Sequence, residues 1–447
     1  MNIVLTRNKI IMAEKLLIKG GRPLRGEVEI RGAKNAALPI LCATLLTKEP
    51  CVIDNIPVIE DVLKMIKILE GLGAKISWLG KRKIKIQCSQ INPKRLPCEI
   101  VGYFRGSILI LGPLLGRFNL VKMPPPGGCL IGARPLDAHF DALSQVGVKI
   151  GLKDKSYEFQ KDPKFQFPEK SITGEKLENA AEVILREFSV TATENILLFS
   201  SLLRKKIIIK IADQDYQVKE LSRVLRKMGV GIKEKGTHAL EIVGPKNIKG
   251  FEHTIMADPI ETGTFIVAAL ATKGEVLIKN AELSFLSLFL KRLKDFGANF
   301  EVLGKNLIKI YPSHKLRMDK IQSLPYPGVH SDLQPELGVL ATQTKGPTLI
   351  HDPLFEGRLK YLEELNKMGA DIIFCDPHRA IVNGPTVLRG ITIPTPDLRA
   401  GAALIIAGLV AKGQTIIENV YQIDRGYERI EERLQGLGAD IKRININ

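Results

Sequence analysis

The chain has 447 residues, 45% hydrophobic and 25% charged, a composition that suits two ordinary folded domains and argues against disorder. No apolar run reaches the roughly 18 residues that a membrane-spanning helix needs. The start, MNIVLTRNKIIMAEK, lacks the apolar core and cleavage site of a secretory leader, so a cytoplasmic protein is expected. The net charge of +17, from 65 Lys and Arg against 48 Asp and Glu, favours anionic partners such as phosphorylated small molecules or nucleic acid. Its basic residues alternate with apolar ones in GKRKIKI and LRKKIIIKI, as on the wet face of strands, and no zinc finger or RNA-binding aromatic motif accompanies them. Six cysteines at 42, 51, 88, 98, 129 and 375 form no CxxC pair and no Cys/His cluster, which argues against structural zinc and against a disulfide framework.

In chain order, one pattern is written six times at intervals of about seventy residues. Each unit begins with a small, apolar helix: AALPILCATLL, SILILGPLLG, ENILLFSSLL, GTFIVAALAT, LQPELGVLAT and GAALIIAGLVA. A short strand-like run follows, such as CVIDNIP or IIIKIAD. Next comes an amphipathic helix, such as EDVLKMIKILEGLG, with apolar residues at i, i+3, i+4 and i+7. It closes on a recurrent ending, written GLGAKI, VGVKI, MGVGI, FGANF, MGADI and LGADI, whose glycine is a helix C-cap signal. A helix apolar on every side must be buried on every side. Three such helices packed together with sheets outside make one domain, and six units make two pseudo-threefold α/β domains.

The residues that precede each apolar helix are not filler. They read GAKN (Lys34, Asn35), YFRGS (Arg105), SVTATEN (Ser189, Thr191, Glu194), ADPIETGT (Asp258, Glu261, Thr262), VHSD (Ser331, Asp332) and TPDLRAG (Asp397, Arg399). Ser189, Asp258, Ser331 and Asp397 suit N-caps, worth about 1 kcal/mol each. Lys34, Arg105 and Arg399 do not, because a cation at a helix N-terminus is unfavourable. Two or three such cations together point to a phosphate or carboxylate site.

One further stretch stands apart. PPPGGCLIGARP sets Cys129 on a loop of proline, glycine and small residues, with Arg134 close behind. No regular element buries that thiol, and a thiol in accessible, electropositive surroundings is reactive.

Four motifs, GAKNAALPIL, PGGCLIGARPLDAH, TPDLRAGAALIIAG and YQIDRGYERIEERL, closely resemble the UDP-N-acetylglucosamine 1-carboxyvinyltransferase family, enolpyruvyl transferases related to 5-enolpyruvylshikimate-3-phosphate synthase. The resemblance runs from about Met12 to the end. It implies the two-domain inside-out α/β barrel of six repeats, three per domain. Residues 34–257 would form one domain and 1–33 with 258–447 the other, with the active site in the cleft between them. It implies transfer of the enolpyruvyl group of phosphoenolpyruvate to the sugar 3-hydroxyl of UDP-N-acetylglucosamine with release of phosphate, opening peptidoglycan synthesis. The reaction is an addition and elimination through a phosphorylated ketal, with no metal and no cofactor. Cys129 is implied as proton donor, on a mobile loop, and as the target of fosfomycin. Asp332 is implied as base for the sugar hydroxyl, and Asp397 as an aid to proton transfer. Lys34, Asn35, Arg134, Arg358 in FEGR, Arg399 and Arg425 would hold phosphoenolpyruvate and the departing phosphate, with Lys34 and Arg425 counted among the catalytic groups. Guanidinium suits this task because it meets both anions bidentately. The UDP-sugar would lie against Asn35, Arg105, Arg134, Pro135, Leu136, Asp137, Ala138, Ser189, Val190, Asp332 and Leu354. A helix-cap role for Asp332 and an ion pair of Arg425 with Glu428 remain as plainer readings. No membrane or nucleic-acid partner is expected.

The chain departs from the family pattern at several places. SVGATEN is here SVTATEN, a lysine two residues before that serine is Glu187, and an arginine before IETGT is Pro259. FPTD becomes VHSD, and a REPE-like segment becomes ADQDYQ. These departures fall on sugar-nucleotide contacts and domain surfaces. They keep open a paralogue with an altered sugar or a regulatory, weakly catalytic role, and, further off, a basic nucleic-acid-binding protein. The first eleven residues have no counterpart in the pattern, and MAEKLLIKGG has the form of a family start, so Met12 is read as the natural initiator. Intact mass of the protein expressed from its native gene tests that reading.

Overall fold

The computed structural model describes residues 14–128, 131–132, 135–177 and 179–445. All six apolar segments are helical. They form α1 (Lys34–Ala43), a 3-10 turn running into α3 (Leu111–Arg117), α5 (Val190–Ser200), α7 (Pro259–Ala271), α9 (Gln334–Ala341) and α11 (Leu398–Val410). Every residue of α7 is buried, and so is every residue of α11 except Val410. Their even apolarity explains why no face is left for water. The amphipathic helices α2 (Glu60–Leu72), α4 (Asp137–Ser144), α6 (Tyr216–Lys227), α8 (Ser287–Asp295), α10 (Tyr361–Lys367) and α12 (Ile430–Gly436) alternate with them. The six repeat endings place Gly73, Gly147, Gly229, Gly297, Gly369 and Gly438 at φ between 83° and 109°, the left-handed region that lets the chain leave the helix at once.

Six sheets surround the buried helices among the described residues. Three draw their strands from 50–254: one from 252–254, 50–54, 83–87 and 75–80, one from 120–123, 156–161 and 148–153, and one from 231–234, 239–243, 206–210 and 180–184. Of the other three, one joins strand 14–19 to strands from 392–445, one joins strand 25–29 to strands from 275–310, and the third is built from strands within 320–384. In each half the three apolar helices pack pairwise against one another inside their sheets. That is the two-domain enolpyruvyl transferase architecture of three units per domain.

The chain passes between the halves twice, side by side. Strand 25–29 pairs in parallel with 275–279, and strand 252–254 pairs in parallel with 50–54. Between those strands and the helices that follow, Gly32 bridges Ala257, Ala33 N–H donates to Met256 O and Asp258 N–H donates to Arg31 O. A side chain at Gly32 would meet the Asn55 carbonyl at 1.9 Å, so the crossing requires glycine. It also delivers the N-termini of α1 and α7 to one place: Lys34 N–H donates to the carboxylate of Asp258, the N-cap of α7.

Candidate active site

A cavity of about 620 Å³ lies between the halves, with walls from 34–217 and from 324–425. The N-termini of the apolar helices supply much of its lining, all but that of α7 contributing residues to it. Of the residues singled out from sequence, Lys34, Asn35, Arg105, Pro135, Ser189, Val190, Asp332, Leu354, Arg358, Asp397, Arg399 and Arg425 line it. Leu136 and Ala138 are packed in the core beside it and Asp137 is exposed on the first turn of α4, so those three are not part of the wall. Cys129, Arg134 and Met12 lie outside the described residues. The stretch that follows Cys129 docks across the cleft: Gly357 N–H donates to Ile131 O at 2.9 Å, and Ile131 lines the cavity. A Cβ on Gly357 would meet Ile131 at 2.7 Å, so this close approach needs glycine there.

One end of the cavity is built from cations that share carboxylates. Asp332 accepts from Arg358 Nη2 at 2.9 Å and from Arg399 Nε at 3.0 Å. Burial alone would raise its carboxyl, but Arg399, followed by His330, Arg358 and Lys34, holds it far below the usual carboxylate range. Asp61 repeats the arrangement with Lys34 Nζ at 2.8 Å and Arg425 Nε at 3.0 Å, and there too burial is outweighed by Lys34 and Arg425. Arg399 donates through Nη1 to Tyr427 OH at 3.2 Å. Its Nη2 is buried and has no acceptor among the described residues. A buried, unpaired guanidinium N–H carries a desolvation cost that an anion in the cavity would relieve.

These contacts correct two readings of the sequence. Arg425 does not pair with Glu428, which is instead held by Arg82 and by Val58 N–H. Ser331 is not an N-cap. His330 takes that place through its ring Nδ1, which accepts from Asp332 N–H at 3.0 Å, while Ser331 Oγ bonds Asp352 at 2.6 Å and Arg358 Nε at 3.1 Å. Ser189, Asp258 and Asp397 are caps as expected, and Asp332 is not one, since both of its oxygens face arginines.

The opposite end is acidic and apolar. Glu187 and Phe188 are exposed there, and Glu194, Asp213 and Asp215 lie deeper. Burial, then Asp213 and Asp215, pushes the Glu194 carboxyl well above its ordinary value. His330 Nε2 reaches Asp215 Oδ2 at 3.1 Å and ties the two walls together. Sequence reading missed Asp61, Asp215 with His330, and His139. Asp61 looked like an ordinary acidic first turn of an amphipathic helix, and its partners lie 27 and 364 positions away.

Comparison with known proteins settles the family. The model of EPSP synthase (3-phosphoshikimate 1-carboxyvinyltransferase) matches residues 18–434. This chain belongs to that family. Within it, similar proteins include the UDP-N-acetylglucosamine 1-carboxyvinyltransferases of Treponema denticola, 38% identical over 95% of this chain and 98% of the relative, and of Coxiella burnetii, 38% identical over 97% and 96%. The enolpyruvyl transferase NikO from Streptomyces tendae superposes with a TM-score of 0.85 at 25% identity, over 97% of this chain and all of that one. EPSP synthase from Acinetobacter baumannii shares the fold at a TM-score of 0.72 and 16% identity, over 97% of this chain and all of that one.

Proposed function

We propose that this chain transfers the enolpyruvyl group of phosphoenolpyruvate to the 3-hydroxyl of UDP-N-acetylglucosamine, releasing phosphate, in the cytoplasm as the first committed step of peptidoglycan synthesis. The observation that carries the proposal is the cationic end of the cavity, where Lys34, Arg358, Arg399 and Arg425 converge and Arg399 keeps an unused donor. Phosphoenolpyruvate brings a phosphate and a carboxylate, and this end offers the fork-shaped donors that match them. The active cleft lies between a domain of residues 34–257 and one of 1–33 with 258–447.

In the addition step the sugar oxygen attacks C2 of the enol, a proton from Cys129 enters at C3, and Asp332 takes the hydroxyl proton. In the elimination step C3 returns a proton, the C2–O bond to phosphate breaks, and the C=C bond re-forms. With both oxygens held by guanidiniums, Asp332 is a weak base. An anion that draws Arg399 and Arg358 toward itself weakens that hold and makes Asp332 more basic once phosphoenolpyruvate is bound. Asp397, whose Oδ1 accepts from Arg399 N–H at 2.9 Å, fixes the start of α11 and thereby the Arg399 side chain.

A second reading, a paralogue with the same reaction and a different sugar nucleotide, is favoured by one observation: Glu187 and Thr191 line the cavity on the nucleotide side. Phosphate release from phosphoenolpyruvate, measured with and without UDP-N-acetylglucosamine, tests both. The first reading expects release that requires the sugar nucleotide and disappears in Cys129→Ala and after fosfomycin treatment. No release from folded protein favours the second.

A further inference from the structure

Behind the nucleotide-side wall runs a chain of hydrogen bonds whose direction is fixed from its inner end. Gly112 N–H donates to Asn195 Oδ1 at 2.8 Å, and Asn195 Nδ2 donates to the Ile108 carbonyl at 3.1 Å. A backbone N–H only donates and a carbonyl only accepts, so these two contacts decide which amide atom of Asn195 is oxygen and which nitrogen. The second hydrogen of the same Nδ2 meets His139 Nδ1 at 3.0 Å, so Nδ1 must offer a lone pair. The ring proton then sits on Nε2, 3.0 Å from Thr191 Oγ1. Thr191 therefore accepts from His139 and has its own hydroxyl proton left to give. Among the described residues no acceptor takes that proton. Asn195 and His139 are only 1% and 2% exposed, so bulk water does not reset the order, whereas Thr191 is half-buried and lines the cavity.

We infer that the Thr191 hydroxyl is a dedicated hydrogen-bond donor to the bound ligand, and that its acceptor is a phosphate oxygen of the nucleotide; this rests on the nucleotide-sugar reading above. The side chain stands in the first turn of α5, where the leading backbone N–H groups also lack partners within the helix, and Arg105 lines the same cavity. Glu187 lines it too and opposes a negative ligand, so the orientation of this donor matters more than net charge does. A ligand presenting an amine or other donor at this point would meet a second donor and be rejected. Thr191 thus sets specificity, and His139 and Asn195 are positioning residues that act through it.

The test is calorimetric binding of UDP-N-acetylglucosamine and of UDP to the full chain, comparing wild type, Thr191→Val and Thr191→Ser. Valine keeps the shape and removes the donor, and is expected to weaken both ligands on the order of tenfold, with serine restoring most of the loss. Unchanged binding in Thr191→Val overturns the inference. A loss confined to UDP-N-acetylglucosamine overturns the assignment to phosphate. Wild type that binds neither ligand sinks the nucleotide-sugar reading itself, and the inference with it. Independently of any ligand, nitrogen-15 NMR of the histidines in wild type must show His139 neutral with its proton on Nε2 at pH 7. A proton on Nδ1 would remove the basis of the inference.

Discussion

The two ends of the cavity handle buried charge in opposite ways. At the cationic end, Asp332 and Asp61 are each shared between two cations, which favours the ionised form of both carboxyls and lets the guanidiniums stand close without repelling one another. At the other end Glu194 has no cation partner among the described residues, and burial with Asp213 and Asp215 nearby shifts its carboxyl toward the protonated form. Recognition at that end passes to oriented, uncharged donors such as Thr191. The cationic end is suited to a strongly charged, compact substrate, and the other to a larger ligand read by hydrogen bonds and by the exposed Phe188 ring, which packs edge-on against His238 at 4.7 Å.

Breaking the cationic end is expected to have the largest effect. Asp332→Asn should cut phosphate release roughly a thousandfold, the scale of a lost general base, and Asp332→Ala should in addition cost about 3 kcal/mol in urea unfolding by leaving Arg358 and Arg399 buried without their shared partner. Release within a few-fold of wild type would show that the chemistry does not happen at this end. Asp61→Asn should lower release by roughly ten- to a hundredfold and raise the KM for phosphoenolpyruvate, because Lys34 and Arg425 lose their common anchor. A KM change confined to the sugar nucleotide would place phosphoenolpyruvate elsewhere.

The two ends should also respond to pH with opposite sign. The Asp332 carboxyl is lowered by folding from an unfolded value of about 3.9, so its stabilisation is present above about pH 4 and is lost as pH falls further. The Glu194 carboxyl is raised by folding from about 4.3, so its contribution is full below about pH 4 and is lost as pH rises toward the folded value. Urea midpoints across pH should therefore show Asp332→Asn flattening the acid side and Glu194→Gln the alkaline side. The same slope change in both variants would erase the distinction between the ends. The smallest expected effect is that of Glu187→Lys, a two- to fivefold gain in nucleotide-sugar affinity at low salt that fades in about 0.5 M salt, since this carboxylate is exposed. A gain that survives high salt would mean a direct contact rather than a field effect.

The six helices apolar on all sides, the glycines that end the amphipathic helices and the caps at Ser189, Asp258 and Asp397 were legible in the sequence. Each of these depends on residues within a few positions of one another. Lys34 and Arg399 stood out because a cation at a helix N-terminus is conspicuous where it stands; they line one cavity with Arg358 and Arg425, which only the family resemblance had singled out. What the sequence left open are the partners. Nothing local to Asp61 announces Arg425, nothing near Arg425 forbids Glu428, and the capping of Asp332 N–H by His330 displaced the serine that local rules favoured.

The direction of the Asn195–His139–Thr191 chain likewise depends on the backbone of Gly112 and Ile108, more than eighty positions from Asn195. Short-range periodicity, propensity and capping thus determined the elements, their burial and the nature of the site. Only the tertiary fold decided which carboxylate neutralises which cation and where each buried proton sits. The physical reason is that a buried charge or donor must be satisfied by whatever the packing brings within about 3 Å, and at that range distance along the chain carries no information.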